Sequence, residues 1–155
     1  MILKSNLQVG QILWLKVRYQ IDVVSDVEHP MLIAKIEDDF IEVIAIDKTF
    51  GKMQCLYHDY NFYINSKNPK ESVIYEDSYA QLNTKITIEL TDELKNSRKT
   101  ETKLSSNKLN ELLNELLNEY EIYQKTHNLD EARIVYMTKD ELLKLNPDIK
   151  NKITN

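Results

Sequence analysis

The stretch from His29 to Lys52, HPMLIAKIEDDFIEVIAIDKTFGK, constrains the fold more than any other part of this chain. Two apolar runs, Met31 to Ile36 and Phe40 to Ile46, are joined by Glu37-Asp38-Asp39, and they read as two strands of one hairpin. Glu42 is the one charged interruption of FIEVIAI. The link lacks the asparagine-glycine pair that favours the tightest hairpins, so its turn type is open. Antiparallel strands return the chain to where it started, which brings His29-Pro30 and Asp47-Lys48-Thr49-Phe50-Gly51-Lys52 to one edge. A cation, a hydroxyl and a carboxylate can therefore meet in a single cleft.

Around this hairpin the chain supplies further short strands. Val9 to Val17 reads as a first strand, too densely apolar for simple alternation. Arg18 to Glu28 shows no sustained period and reads as a long loop; such loops commonly carry function, and this one leads into His29. Short strands are expected at Met53–Leu56, Asn61–Ile64, Ser72–Tyr75 and Lys85–Leu90, with a turn at Ser66 to Lys70. A succession of short strands and tight turns suggests a compact, bent antiparallel β-barrel or sheet of SH3-like character.

From Thr91 the pattern changes. Thr91-Asp92-Glu93-Leu94 opens a short helix. Leu109, Leu112, Leu113, Leu116, Leu117, Tyr120 and Tyr123 then recur at three-and-four spacing, which predicts an amphipathic helix. The stripe spans too few heptads for a coiled coil, so it is expected to pack on the strands. Arg133 to Met137 reads as a strand, and Thr138 to Leu143 as a capped short helix stopped by Pro147. The fold class is thus α+β in one domain over 1–155: a β-rich core over 1–90, a helical segment over 91–127, and a strand plus short helix over 132–146.

Composition narrows the function. A length of 155 residues permits one substantial core, and no apolar run approaches the ~20 residues that span a bilayer. The N-terminus lacks the pattern of a secretory signal, so a cytoplasmic location without membrane contact is the expectation. The lone Cys55 sits among apolar neighbours and reads as a buried thiol. The net charge of −5 argues against a broad grip on nucleic acid. Within it, however, Lys95, Arg98, Lys99, Lys103 and Lys108 stand against Glu101 alone. This strip reads either as a face that attracts a polyanion or as a solvated linker.

With only Gly10 and Gly51 there is no glycine-rich phosphate loop; His29, His58 and His127 form no metal-type cluster, and no GxSxG elbow occurs. No cofactor and no metal are expected. What remains is acid-base and electrostatic chemistry. Asp47, Lys48, Thr49 and Lys52 offer a carboxylate, two ammonium groups and a hydroxyl. Cleavage of a phosphodiester by its neighbouring 2′-hydroxyl needs such a set: a proton acceptor, a donor for the leaving 5′ oxygen, and positive charge on the phosphate. His29 can serve as acid or base. The same DKTFGK run is equally an ordinary solvated turn. Tyr57, Tyr60, Phe62 and Tyr63 likewise read either as stacking platforms for bases or as core and rim.

VGQILWL, HPMLIAKI and FIEVIAIDKT resemble the three leading strands of the PemK/MazF-like toxins, and NPKESVIYEDSYAQLNTKITIEL with ARIVYMTKDELLKLN resembles the CptN branch, relatives of ToxN in type III toxin-antitoxin systems. The resemblance implies a bent antiparallel barrel with appended helices. It implies a metal-independent endoribonuclease that acts on cellular mRNA and leaves 2′,3′-cyclic phosphate ends. It also implies a small folded RNA antitoxin, processed by the toxin from a repetitive precursor and held with it in a hetero-oligomer.

Position by position, His29 takes the place of a lysine before the second strand, Lys48 and Thr49 fall on a hydroxyl pair, and Gly51 or Lys52 on a later lysine. Asp47 has no polar equivalent in ToxN. Ser78 and Gln81 lie where MazF-like proteins carry a polar segment near the cleft, and are expected to contact RNA, as is the strip Lys95, Arg98, Lys99, Lys103 and Lys108. Two alternatives stay open: an mRNA interferase restrained by a protein antitoxin, and a noncatalytic SH3-like adaptor for RNA or peptide.

Overall fold

In the computed structural model, which describes residues 7–20, 23–48, 61–64, 78–99 and 106–150, the predicted hairpin is the middle of a mixed sheet. Its strands, β4 (His29–Ile36) and β5 (Phe40–Lys48), follow β1 (Ile12–Leu15), β2 (Arg18–Gln20) and β3 (Val23–Val24). After them come β6 (Asn61–Ile64), β7 (Ser78–Gln81), β8 (Lys85–Glu89), β9 (Arg98–Lys99), the helix α1 (Ser106–Thr126), β10 (Ile134–Met137) and the helix α2 (Lys139–Leu145). The main sheet runs β10-β8-β5-β4-β1-β9, with β7 paired to β5 and β6 to β7, while β2 and β3 pair separately. Among the described residues no helix is long and apolar enough to cross a membrane.

Two features depart from an antiparallel barrel. First, β10 pairs with β8 in parallel, Ile134 opposite Lys85 and Met137 opposite Ile88. Parallel neighbours need a long crossover, and the stretch containing α1 supplies it. Second, the sheet is not closed. Between β2 and β10 no ladder forms; side chains bridge the opening instead, with the Arg18 guanidinium donating to the Tyr136 carbonyl at 2.8 Å.

Strand alternation divides the core in two. On one face Leu13, Leu15, Met31, Ile33, Ile41, Val43, Ile86, Ile88, Val135 and Met137 pack together, sealed by Leu94, Leu142 and Ile149 from the helical turns. On the other, Ile12, Leu32, Ala34, Ile44, Ile46, Ala80 and Leu82 receive Leu116 and Tyr120 of α1, with Leu113, Leu117, Tyr123 and Phe62 against them. The leucine stripe thus packs on the strands as its period predicts, and Phe62 takes the core reading. Gly10 permits this approach: its φ is +93°, and a Cβ there would lie 2.5 Å from Leu113 Cδ1. A side chain would meet both backbone strain and a steric clash.

Glu42 falls on the face toward α1, where Tyr120 Oη donates to its Oε2 at 2.6 Å. A buried carboxylate needs such a partner. One residue earlier on β4 the register shifts between Ile33 and Lys35, so Ala34 packs toward α1 and Lys35 Nζ pairs with Glu121 of the helix at 3.4 Å. A bulge of this kind turns two successive side chains the same way.

Several boundaries differ from expectation. The first strand is shorter than Val9–Val17. The loop Arg18 to Glu28 holds β2 and β3, concealed from pattern reading by a register irregularity between Arg18 and Gln20. Thr91–Leu94 opens a 3₁₀ helix, Asp92–Asn96, and Thr91 makes no side-chain cap there; its hydroxyl instead donates to Glu93 Oε2 at 3.1 Å. Thr138 does cap α2, accepting from Glu141 N at 3.2 Å. The strands expected at Met53–Leu56 and Ser72–Tyr75 lie outside the described residues.

Candidate functional site: a cleft where the hairpin divides

The β4–β5 ladder runs from Ile36 opposite Ile41 to Met31 opposite Ala45 and ends there. Past that point the two strands take different partners. His29 and Pro30 pair with Leu15 and Trp14 of β1. Ile46, Asp47 and Lys48 pair with Ala80, Tyr79 and Ser78 of β7. The register that would set His29 against Asp47 is never completed, and the strands diverge.

A cleft of about 380 Å³ opens at this divergence, lined by Met31, Ala45 and Ile46 from the hairpin, Gln81 from β7, His29 at its mouth, and Val17, Tyr19 and residues 24–27 as an outer wall. Its floor is apolar, because Met31 and Ala45 belong to the same face as the main core. Its polar groups are His29, Gln81, Tyr19 and Asp26. Among the described residues, no hydrogen bond or ion pair engages the side chains of His29, Gln81 or Asp26. Ser25 is different, being 6% exposed; its Oγ accepts from Val17 N at 2.8 Å and donates to Val17 O at 3.1 Å, so it holds the wall rather than facing a ligand.

An apolar recess with a few convergent polar groups is the usual form of a small-molecule or nucleobase site. His29 can move a proton, Gln81 offers both a donor and an acceptor, and the floor suits a flat ring. Among the described residues, no three His, Cys, Asp or Glu side chains are grouped so as to hold a metal ion.

The sequence-predicted residues are distributed unevenly about this cleft. His29 and Gln81 line it. Asp47 and Lys48 continue β5 from Ile46 at the rim, and Ser78 is the ladder partner of Lys48. Ser78 to Gln81 form a strand rather than a turn. Thr49 and Lys52 lie outside the described residues, as does Lys103. Of the basic strip, Arg98 and Lys99 form the edge strand β9, Arg98 opposite Trp14, which itself faces Pro30. At ~4.8 Å per strand, β9 therefore lies about 10 Å from the start of β4. Charged residues on an edge strand also discourage pairing with another chain. Lys95 is half-buried in the 3₁₀ helix and already engaged within the fold. Lys108 sits in the first turn of α1, on the far side of a stretch outside the described residues. The five cations do not form one described patch.

Tyr19 and Asp26 belong to the cleft but were not singled out by pattern. The signal that pointed toward them was the length and polarity of the segment leading into His29. Elsewhere, burial, reinforced by the Glu42 carboxylate beside it, pushes the Tyr120 hydroxyl far above the ordinary tyrosine range. That pair joins sheet to helix and lies outside the cleft lining. No model of a known protein family matches this chain, and no curated protein is similar to it.

Proposed function

We propose that the chain is a metal-independent endoribonuclease toxin, restrained by a small folded RNA, with cellular mRNA as substrate. The observation that carries this reading is the division of the β4–β5 ladder, which brings His29 and Gln81 into one cleft, with Asp47-Lys48 following Ile46 of its lining along β5. In the reaction, the 2′-hydroxyl loses its proton and its oxygen bonds to phosphorus. The bond from phosphorus to the 5′ oxygen breaks, and that oxygen takes up a proton. The products are a 2′,3′-cyclic phosphate and a free 5′-hydroxyl, and no water or metal enters the balance.

His29 serves proton transfer. Lys48 and Lys52 offset charge on the phosphate oxygens, Thr49 donates a hydrogen bond to them, and Asp47 pairs with a lysine or takes the 2′ proton. Ser78 and Gln81 contact the RNA, and Arg98 and Lys99 extend positive charge along the sheet edge, with Lys95, Lys103 and Lys108 in the same strip. The curled sheet is read as an open relative of the PemK/MazF-like barrel, and the cytoplasm as its location.

Purified protein incubated with a long RNA in EDTA is expected to cut at a repeated short sequence and leave cyclic phosphate ends. Loss of cutting in His29→Ala and Lys52→Ala, with the fold intact, supports the residue roles. An intact RNA overturns the reading, and cutting at the wild-type rate by both variants overturns the residue roles. Expression with its native upstream DNA is expected to copurify one discrete RNA; a bound protein in its place points to a protein antitoxin. The apolar floor of Met31 and Ala45 favours a second reading, a noncatalytic module that binds RNA or peptide in the same cleft. Binding without cleavage in EDTA would select it.

A further inference from the structure

The outer wall of the cleft is held from the far end of the chain. Lys16, Val17 and Arg18 are consecutive, and each is fixed by a different side-chain contact. Lys16 N donates to Asn146 Oδ1 at 2.8 Å, and Asn146 Nδ2 donates to Lys16 O at 2.9 Å. The amide thus stands in for a strand partner just where the ladder beyond β1 stops. The same Nδ2 reaches Leu142 O at 2.9 Å, which fastens it to the last turn of α2. Asn146 is 2% exposed, so an apolar replacement would leave both Lys16 groups unsatisfied.

Val17 is bonded through the Ser25 hydroxyl and also through Ser25 N, which donates to Val17 O at 2.9 Å. Arg18 forms a fork with Glu141: Nε to Oε2 at 2.7 Å and Nη2 to Oε1 at 3.2 Å. Its Nη2 also donates to the Tyr136 carbonyl. Two parallel charged hydrogen bonds fix direction as well as distance. Glu141 cannot complete a capping box while it faces Arg18, so α2 gives up part of its own cap to make this contact.

We propose that Asn146 and the Arg18–Glu141 pair are positioning residues for the cleft, holding the wall of Val17–Gln20 and Val23–Val27 against the floor from α2. None of them lines the cleft. They act through Val17 and Tyr19, which do. The catalytic part of this proposal rests on the endoribonuclease reading; the structural part does not.

Two variants test it, Glu141→Gln and Asn146→Ala, read by amide hydrogen exchange and by RNA cleavage. Loss of either anchor is expected to speed exchange at residues 17–20 and 23–27 by roughly tenfold or more while β4, β5 and β8 keep wild-type protection. The kcat for RNA is expected to fall by about tenfold or more, because a displaced wall misplaces the phosphate relative to His29. Exchanging the charges, Arg18→Glu with Glu141→Arg, is expected to restore part of the protection.

Unchanged exchange at the wall overturns the proposal, as does a rise spread evenly over the sheet. Should Asn146→Ala fail to fold, Glu141→Gln decides alone, since that side chain is 30% exposed. A wild-type protein that cuts no RNA refutes the endoribonuclease reading, and exchange then judges the anchor by itself. Equal kcat with a loosened wall overturns the positioning role.

Discussion

The two ends of the β4–β5 hairpin are built from the same strands and have opposite characters. Toward the turn, Ile36 faces Ile41 and Ile33 faces Val43, the ladder is interrupted only by the bulge between Ile33 and Lys35, and Ile33, Ile41, Val43 and Ile44 are all fully buried. Toward the open end, the strands part after Met31 and Ala45 and each finds another neighbour. One end is held by backbone pairing within the hairpin. The other is paired to β1 and β7, and the wall beside it is held by side chains of Glu141 and Asn146. A ladder that satisfies every backbone group leaves little for a ligand to bind, whereas a divergence exposes a recess while its backbone groups remain paired elsewhere. The recess a ligand could enter is therefore at the open end.

The sharpest way to break that comparison is to substitute at each end. His29→Ala, at the open end, is expected to lower RNA cleavage by about 10²- to 10⁴-fold, the usual loss for a proton-transfer group. Its melting temperature should stay within a few degrees of wild type, because the ring is only half-buried and makes no described side-chain bond. Ile33→Ala, at the closed end, is expected to cost about 2–5 kcal/mol in urea unfolding, as for other buried isoleucines. Met31→Ala should cost less, near the lower end of that range, since its cavity opens into the cleft and water can enter. Equal losses at Ile33 and Met31 would erase the distinction between the two ends.

Most of the closed end was legible in the sequence. The apolar runs, the acidic link and the leucine stripe of α1 follow period rules that tertiary contacts reinforce, and they recur as β4, β5 and the second core. The open end was legible only in its residues. His29 and Gln81 stand out as site candidates, yet nothing in the pattern shows that a ladder stops two residues before a strand begins. That depends on where pairing to β1 and β7 replaces pairing within the hairpin, and β7 is a four-residue strand whose polar sequence SYAQ resembles a turn. The parallel β8–β10 pair was hidden for a related reason: strand direction is decided by the long crossover containing α1, not by the composition of IVYM. The anchor from Asn146 to Lys16 spans 130 positions, beyond the reach of any local signal. Glu42 was visible as an anomaly in an apolar strand; only the packing of α1 supplied its partner.

That partner gives a test of how firmly the helix holds the closed end. Tyr120→Phe removes the hydroxyl that donates to Glu42 at 2.6 Å and leaves a buried carboxylate oxygen without it. The expected cost is about 1–3 kcal/mol at neutral pH. The pH dependence separates this bond from simple packing. The folded protein retains the Tyr120 proton well above the pH at which an unfolded chain releases it. The stability it contributes is therefore complete below pH ~10, the value for an unfolded tyrosine, and declines above that at up to about 1.4 kcal/mol per pH unit. Tyr120→Phe lacks this decline, so the two unfolding curves should converge between pH 10 and 11, a window following from the ordinary tyrosine value of ~10. Parallel curves would mean that burial of Tyr120 does not oppose its ionisation.

The smallest expected effect bears on the open end. Thr138 caps α2 through one bond to Glu141 N, and Thr138→Ala is expected to cost about 1 kcal/mol, as for other threonine caps. The hydroxyl touches neither the cleft nor the wall. Its loss reaches them only by fraying the first turn of α2, where Glu141 holds Arg18. If the open end relies on that helix, hydrogen exchange should quicken at residues 17–20 and 23–27 and stay unchanged at Ile33, Val43 and Ile44. A loss confined to residues 138–142 would instead show that α2 can fray at its start while Asn146, at the opposite end, still keeps the wall in place.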